Sequence, residues 1–169
     1  GSIPTRSRHH RRQEKKMVPE SSSNRLTWAT IVFAFIGSVI MYGVLAYMLQ
    51  QSGERTASPG LEAMRLPVTL LGIACLVASV LWAQLRLVVH GEYASTTGDI
   101  PAPRQFITHT VIALAFAEAC AVFGLLLFFL GASWTDFLLF AIPSIGVMVL
   151  FVFPRGIVYW RVWESRQEE

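Results

Sequence analysis

Residues 107–130 read ITHTVIALAFAEACAVFGLLLFFL, a run in which the one acidic residue is Glu118. A helix rises about 1.5 Å per residue, so a run of this length crosses a hydrocarbon layer of about 30 Å. Its last part, LLLFFL at 125–130, is continuously apolar, whereas the strands of a membrane barrel alternate apolar and polar side chains. The run therefore predicts a transmembrane α-helix.

Three further runs, 27–49, 67–89 and 136–153, have the same character. The whole chain of 169 residues is 53% hydrophobic and 15% charged, with a mean hydropathy of +0.49. These values lie outside the usual range of soluble domains. The run at 27–49 is also too long for the apolar core of a cleaved signal peptide. We therefore predict an all-α, four-helix polytopic membrane protein that keeps its first helix.

The distribution of basic residues predicts the orientation of the chain in the membrane. If the N-terminus is inside, twelve of the 14 Lys and Arg residues lie on the inner side and two, Arg55 and Arg65, lie outside. The opening Gly1 and Ser2 resemble an expression scar, but omitting residues 1–16 still leaves six against two. Because short cytoplasmic loops are enriched in Lys and Arg, we expect both termini to be cytoplasmic.

The chain divides by composition into a basic cytoplasmic head (1–26), a transmembrane domain (27–153) and an interfacial cytoplasmic tail (154–169). We expect the head to contact anionic lipid headgroups, and we do not expect a nucleic-acid partner. The tail mixes aromatic residues with arginine, which is typical of a membrane interface. Its predicted interface anchors are Tyr159, Trp160, Arg161 and Trp163.

Glu118 is the candidate functional residue, because it lies roughly 16 Å into its predicted helix and close to the bilayer midplane. A charge at this depth costs at least about 2.5–3.5 kcal/mol. No Lys, Arg or His lies at matching depth in another span, since Arg86 and His109 are nearer the surface. We therefore expect Glu118 to be protonated, either as an ion-binding group or as a neutral hydrogen-bonded packing group.

Small residues surround Glu118 and make the centre of its helix thin, which allows close approach of a neighbouring backbone. The predicted packing residues are Ala115, Ala117, Ala119, Cys120 and Gly124. The two cysteines, Cys75 and Cys120, lie at similar depth in their spans. This permits a disulfide bridge, but small buried thiols are common packing residues.

The stretch ALAFAEACAVFGLLLF at 113–128 resembles the C-terminal helix of the proteolipid c subunit of rotary ATP synthases. In that family the helix carries a midspan carboxylate followed by a small residue and a long apolar run. Arg104 and Gln105 fall near the place of the family's polar cytoplasmic loop, so the resemblance covers residues 104–128. It implies that Glu118 carries an ion, a proton rather than sodium, and that Arg104 and Gln105 make cytoplasmic loop contacts.

Two functions are compatible with these features. The first is an accessory or uncharacterised component of a larger membrane complex, in which Glu118 bonds to another chain. The alternative is a c-subunit-like proton carrier in a proton-translocating assembly. Both imply other membrane subunits or a homo-oligomer as partners, and both suit a bacterial inner membrane or an equivalent energy-transducing membrane.

The spans contain no Ser/His/Asp set, HExxH motif or paired aspartates, so we expect no stand-alone catalytic activity. We likewise expect no cofactor and no metal site.

Overall fold

The computed structural model describes residues 20–52, 60–87 and 100–167. The helices are α1 (Glu20–Gln51), α2 (Leu61–Arg86), α3 (Pro103–Phe129), α4 (Trp134–Val147) and α5 (Phe153–Gln167), and a π-helical segment, Met148–Val152, joins α4 to α5. Four helical stretches are long and apolar enough to cross a membrane, and the fourth runs unbroken from Trp134 to Arg166. The predicted all-α architecture is confirmed, with four helices that are long and apolar enough to span a membrane.

Parts of the predicted termini and loops lie outside the described residues. The helix α1 begins at Glu20, so residues 20–26 of the predicted head are helical. Residues 1–19, which contain most of the basic head, are outside the described ranges, as is Arg55. The predicted contact of the head with lipid headgroups therefore stays a prediction.

Helix α3 lies at the centre of the bundle. Half of its most apolar window is buried (50%), compared with 17% for α1, and α3 packs against α1, α2 and α4. The buried face of α3 carries small side chains, including Ala113, Ala117 and Ala121, which are fully buried. Small residues let neighbouring helices approach closely, and this places α3 within reach of all the other spans.

Two serines join α3 to its neighbours through backbone oxygens. The Ser79 hydroxyl of α2 donates to the Ala113 carbonyl at 2.7 Å, and the Ser144 hydroxyl of α4 donates to the Ala117 carbonyl at 2.6 Å. Both serines are fully buried. The Ser144 hydroxyl, next to Pro143, therefore bonds to a neighbouring helix.

The ring of Phe140 on α4 is held between two glycines of neighbouring helices. A Cβ atom at Gly124 of α3 would lie 2.6 Å from Phe140 Cβ, and one at Gly72 of α2 would lie 2.6 Å from Phe140 Cε1. Carbon atoms cannot approach this closely without repulsion. Glycine is therefore required at both positions if α2, α3 and α4 are to keep their spacing.

Ion pairs mark the two ends of the bundle. Arg25, near the start of α1, pairs with Glu164 of α5 at 3.0 Å. At the opposite end, Arg65 of α2 pairs with Asp136 of α4 at 2.8 Å. The first and last described helices therefore meet at one end of the bundle. This agrees with termini on one side of a membrane, while the assignment of that side to the cytoplasm stays a prediction.

The helical path continues through Pro154, although the sequence predicted the fourth span to end at residue 153. The Phe153 N–H donates to the Met148 carbonyl, five residues back, which widens the turn. A proline ring in a regular α-helix clashes with the carbonyl four residues earlier, and a π turn relieves such crowding. The predicted boundary between membrane domain and tail is therefore not a break in the helix.

The structure differs from the predicted interface anchors at Tyr159 and Trp160, which turn inward and are 0% and 2% exposed. The Tyr159 ring stacks on Phe106 with centroids 3.8 Å apart, and its hydroxyl donates to the Pro101 carbonyl at 2.7 Å. These partners within the chain replace the contacts that headgroups would offer. Of the other two predicted anchors, Arg161 is exposed and Trp163 is half-buried.

Replacing Gly124 with alanine should destabilise the bundle, because the added methyl group collides with the Cβ atom of Phe140. Overpacking of this kind costs about 1–3 kcal/mol. A lower midpoint of thermal unfolding in detergent micelles would report it. The matched control is Gly146→Ala on α4, where no atom lies within 4 Å of the added Cβ. Equal midpoints for the two variants would contradict the proposed packing.

Candidate functional site

Glu118 lies near the middle of α3. It follows Pro103 by fifteen residues and precedes Phe129 by eleven, which corresponds to about 22 Å and about 17 Å of helix on its two sides. Its side chain is half-buried in the chain. The carboxyl is therefore at midspan, as the sequence predicted, but it is not sealed inside the bundle.

Two hydroxyl groups of α1 bind one oxygen of this carboxyl. The Tyr42 hydroxyl donates to Glu118 Oε1 at 2.9 Å, and the Ser38 hydroxyl is in hydrogen-bond contact with the same oxygen. Ser38 and Tyr42 are four residues apart and so lie on one face of α1. The site thus consists of a carboxyl from α3 and a pair of hydroxyls from α1, and it is the third polar link between α3 and a neighbouring span.

The partners of Glu118 carry no positive charge. Within residues 20–52, 60–87 and 100–167, its hydrogen bonds join it to Ser38 and Tyr42, and it forms no ion pair. A hydroxyl can donate to a carboxylate and can also accept from a protonated carboxyl. The arrangement is therefore chemically able to hold Glu118 in either protonation state.

The site borders the outer surface of the bundle. Ala115 and Val122, one turn before and after Glu118 on α3, are both exposed, Val122 by 43%. On α1, Met41 and Leu45 follow the two hydroxyl-bearing residues by three positions and are also exposed. The carboxyl thus lies at the edge of an apolar outer face rather than at the bundle axis.

The predicted packing residues divide between two faces of α3. Ala117, Cys120 and Gly124 are buried in the bundle, Ala119 is half-buried, and Ala115 is exposed. Ala115 therefore makes no core packing within the described chain, because it lies on the outward face. Both Cys75 and Cys120 are free thiols, and Cys120 belongs to a buried apolar cluster with Phe140.

Arg104 and Gln105 are exposed in the first turn of α3. They precede Glu118 by fourteen and thirteen residues, or about 20 Å along the helix. The structure therefore does not bring them to the carboxyl. Their predicted role as a cytoplasmic loop contact stays a prediction.

Sequence reasoning missed Ser38 and Tyr42. A signal was present, because a serine and a tyrosine four residues apart interrupt the apolar run of α1. A cationic partner for Glu118 would be visible in the sequence as a charge at matching depth, whereas an uncharged hydroxyl at midspan carries no such signal.

Comparison with known proteins identifies no relative: no protein-family model, curated protein or solved structure matches this chain. The resemblance of residues 104–128 to the c-subunit helix therefore rests on the residues themselves and stays a prediction.

Replacing Tyr42 with phenylalanine should weaken the attachment of α1 to α3, because it removes the hydroxyl that donates to Glu118. We expect a loss of about 1 kcal/mol in the free energy of unfolding, typical of one hydrogen bond between membrane helices. Unfolding in detergent micelles measures it.

Tyr47→Phe is the matched control for Tyr42→Phe. The Tyr47 side chain is 52% exposed, and its hydroxyl accepts a bond from Gln51 of the same helix. Its loss should leave the unfolding free energy nearly unchanged. An equal loss in both variants would show that the Tyr42–Glu118 bond does not hold α1 in place.

Proposed function

We propose that this chain is a non-catalytic subunit of a larger membrane assembly, in which Glu118 takes up and releases a proton at midspan. The observation that carries this proposal is a half-buried midspan carboxyl whose partners, Ser38 and Tyr42, are uncharged hydroxyls of the same chain. The proton is the ion with which such a carboxyl can become neutral in an apolar environment.

The uncharged partners support proton exchange over permanent ionisation. A buried Lys or Arg beside a carboxyl favours its charged form, and removing either charge from such a pair is strongly destabilising. The Ser38 and Tyr42 hydroxyls impose no such preference, since each can bond to the acid and to the carboxylate. Loss or gain of the proton then leaves both hydroxyls hydrogen-bonded to the carboxyl.

The position of Glu118 at an outer face of the bundle supports exchange of its proton with a neighbouring chain. Glu118 borders an outer face that includes the exposed Ala115 and Val122. A proton released there meets hydrocarbon, which does not solvate it. Exchange at this face therefore requires a polar group on a neighbouring chain, either another membrane subunit or a second copy of this one.

The proposed location is an energy-transducing membrane, with both termini of the chain in the cytoplasm. The excess of Lys and Arg on one side favours cytoplasmic termini. Proton exchange at midspan suits a bacterial inner membrane or an equivalent energy-transducing membrane. The resemblance of residues 104–128 to the c-subunit helix supports the same kind of assembly.

A purely structural role for Glu118 is the second candidate. The bonds from Ser38 and Tyr42 join α1 to α3, so the carboxyl already serves as a link between helices. In this alternative Glu118 stays protonated at all accessible pH values, and the chain is an accessory subunit without proton exchange.

A hydrophobic carbodiimide separates the two candidates, because it partitions into lipid and reacts with protonated carboxyls. The carboxyl gives its proton to a carbodiimide nitrogen while its oxygen bonds to the central carbon, and rearrangement leaves a stable N-acylurea. We expect an adduct on Glu118, located by peptide mass spectrometry, whose yield falls as the pH rises. Sodium at constant pH should not change the yield.

Glu118→Gln, which lacks the reactive acid, is the control for this reaction and should give no adduct in the same peptide. An adduct whose yield does not vary with pH would favour the structural candidate. Failure of Glu118 to react at any pH would remove the main support for proton exchange.

The assembly part of the proposal predicts that the chain, extracted in a mild detergent, has a mass above that of one copy. Light scattering with protein mass spectrometry would identify a second subunit or a homo-oligomer. Val122→Trp adds bulk to the face beside Glu118 and should release the partner, whereas Leu85→Trp, at a position 78% exposed on α2, should not. A stable single chain without a partner would contradict the assembly.

A further inference from the structure

The Ser38 hydroxyl lies against two acceptors at once. It is 2.8 Å from the carbonyl oxygen of Phe35 in its own helix, and it is in hydrogen-bond contact with Glu118 Oε1. A serine hydroxyl has a single proton to donate. When the Ser38 proton points to the Phe35 carbonyl, the proton between Ser38 and Glu118 comes from Glu118.

The two protonation states of Glu118 then use Ser38 differently. When Glu118 is neutral, it donates to Ser38 Oγ, and Ser38 donates to the Phe35 carbonyl. When Glu118 is charged, the Ser38 hydroxyl turns to the carboxylate and leaves the Phe35 carbonyl to its regular bond within the helix. Tyr42 donates to Glu118 in both states.

We infer that Ser38 is a positioning residue that couples the proton occupancy of Glu118 to the backbone of α1 at Phe35. This inference rests on the proposed function, since it describes how the same site responds to loss of its proton. Bonds from serine to a preceding carbonyl of its own helix slightly destabilise and often bend a helix. Switching that bond on and off therefore changes the local geometry of α1.

The surroundings of Ser38 allow such a change. Gly37 precedes it, and no atom lies within 4 Å of the position that a Cβ at Gly37 would occupy. The helix α1 is also the least buried of the four spans, with 17% of its most apolar window buried. The Gly37 side of α1 therefore has open space beside it, although Val39, on the other side of Ser38, is packed in the core.

Few other titratable groups can account for a response to pH at this site. From α1, Tyr42 is the titratable residue that contacts Glu118. In the described parts of α2, α4 and the π segment, no Lys, Arg, His, Asp or Glu forms a hydrogen bond or ion pair with it. On α3 itself, His109 is nine residues away, or about 13 Å along the helix.

The test compares the pH of half-maximal carbodiimide labelling of Glu118 in the full chain and its variants. Ser38→Ala removes a group that donates to the charged form and accepts from the neutral form. Because a hydrogen bond to a charged group is the stronger of the two, this pH should rise by about one unit, a tenfold change in proton binding. Ser38→Thr keeps the hydroxyl and should label like the wild type.

The outcomes of this test distinguish the role of Ser38 from the proposed function of Glu118. Wild-type labelling that depends on pH, together with an unshifted Ser38→Ala variant, overturns the role of Ser38 and leaves the proposed function standing. Absence of wild-type labelling overturns the proposed function and this inference together.

Should Ser38→Ala fail to fold, Ser38→Cys replaces it in the test. The thiol is a weak donor of similar size, so this variant should shift the labelling pH in the same direction by a smaller amount. A Ser38→Cys profile identical to that of the wild type would overturn the role of the hydroxyl.

Discussion

The hydroxyl groups that converge on the middle of α3 are the interaction on which the bundle depends. Ser79 and Ser144 donate to the carbonyls of Ala113 and Ala117, and Ser38 contacts the carboxyl of Glu118 one residue further on. Lipid chains are as apolar as leucine, so apolar contact alone does not draw membrane helices together. These polar links define which helices are neighbours of α3 and at what height they meet.

The four spans could be predicted from the sequence, because each is a long run that is nearly free of charge. Glu118 stands out for the same reason, since it is an acidic residue in the middle of such a run. The donors to Glu118 were not predictable in the same way. Whether Ser38 and Tyr42 face α3 depends on the rotation of α1, and the apolar composition of α1 does not define that rotation. A carboxyl at midspan indicates that partners must exist, but only the packing of helices identifies them.

The tail, residues 154–169, shows a similar limit to what the sequence alone can predict. Aromatic residues beside arginine are typical of an interface, yet Tyr159 packs on Phe106 and bonds to the Pro101 carbonyl. The sequence also predicted an end to the fourth span at residue 153, just before Pro154. The π turn before that proline keeps the helix continuous, and such a turn depends on local geometry that has no clear sequence signal.

The continuous helix from Trp134 to Arg166 contains 33 residues, or about 50 Å, and therefore extends about 20 Å beyond a hydrocarbon layer of about 30 Å. This extension is nevertheless held in the bundle, because Tyr159 stacks on Phe106 of α3 and Glu164 pairs with Arg25 of α1. A tilt of about 5° within the bilayer would displace its far end by roughly 2 Å, given the helical rise. The starts of α1 and α3 would have to follow that displacement, so the fourth helix, α3 and α1 are joined mechanically at this end of the bundle.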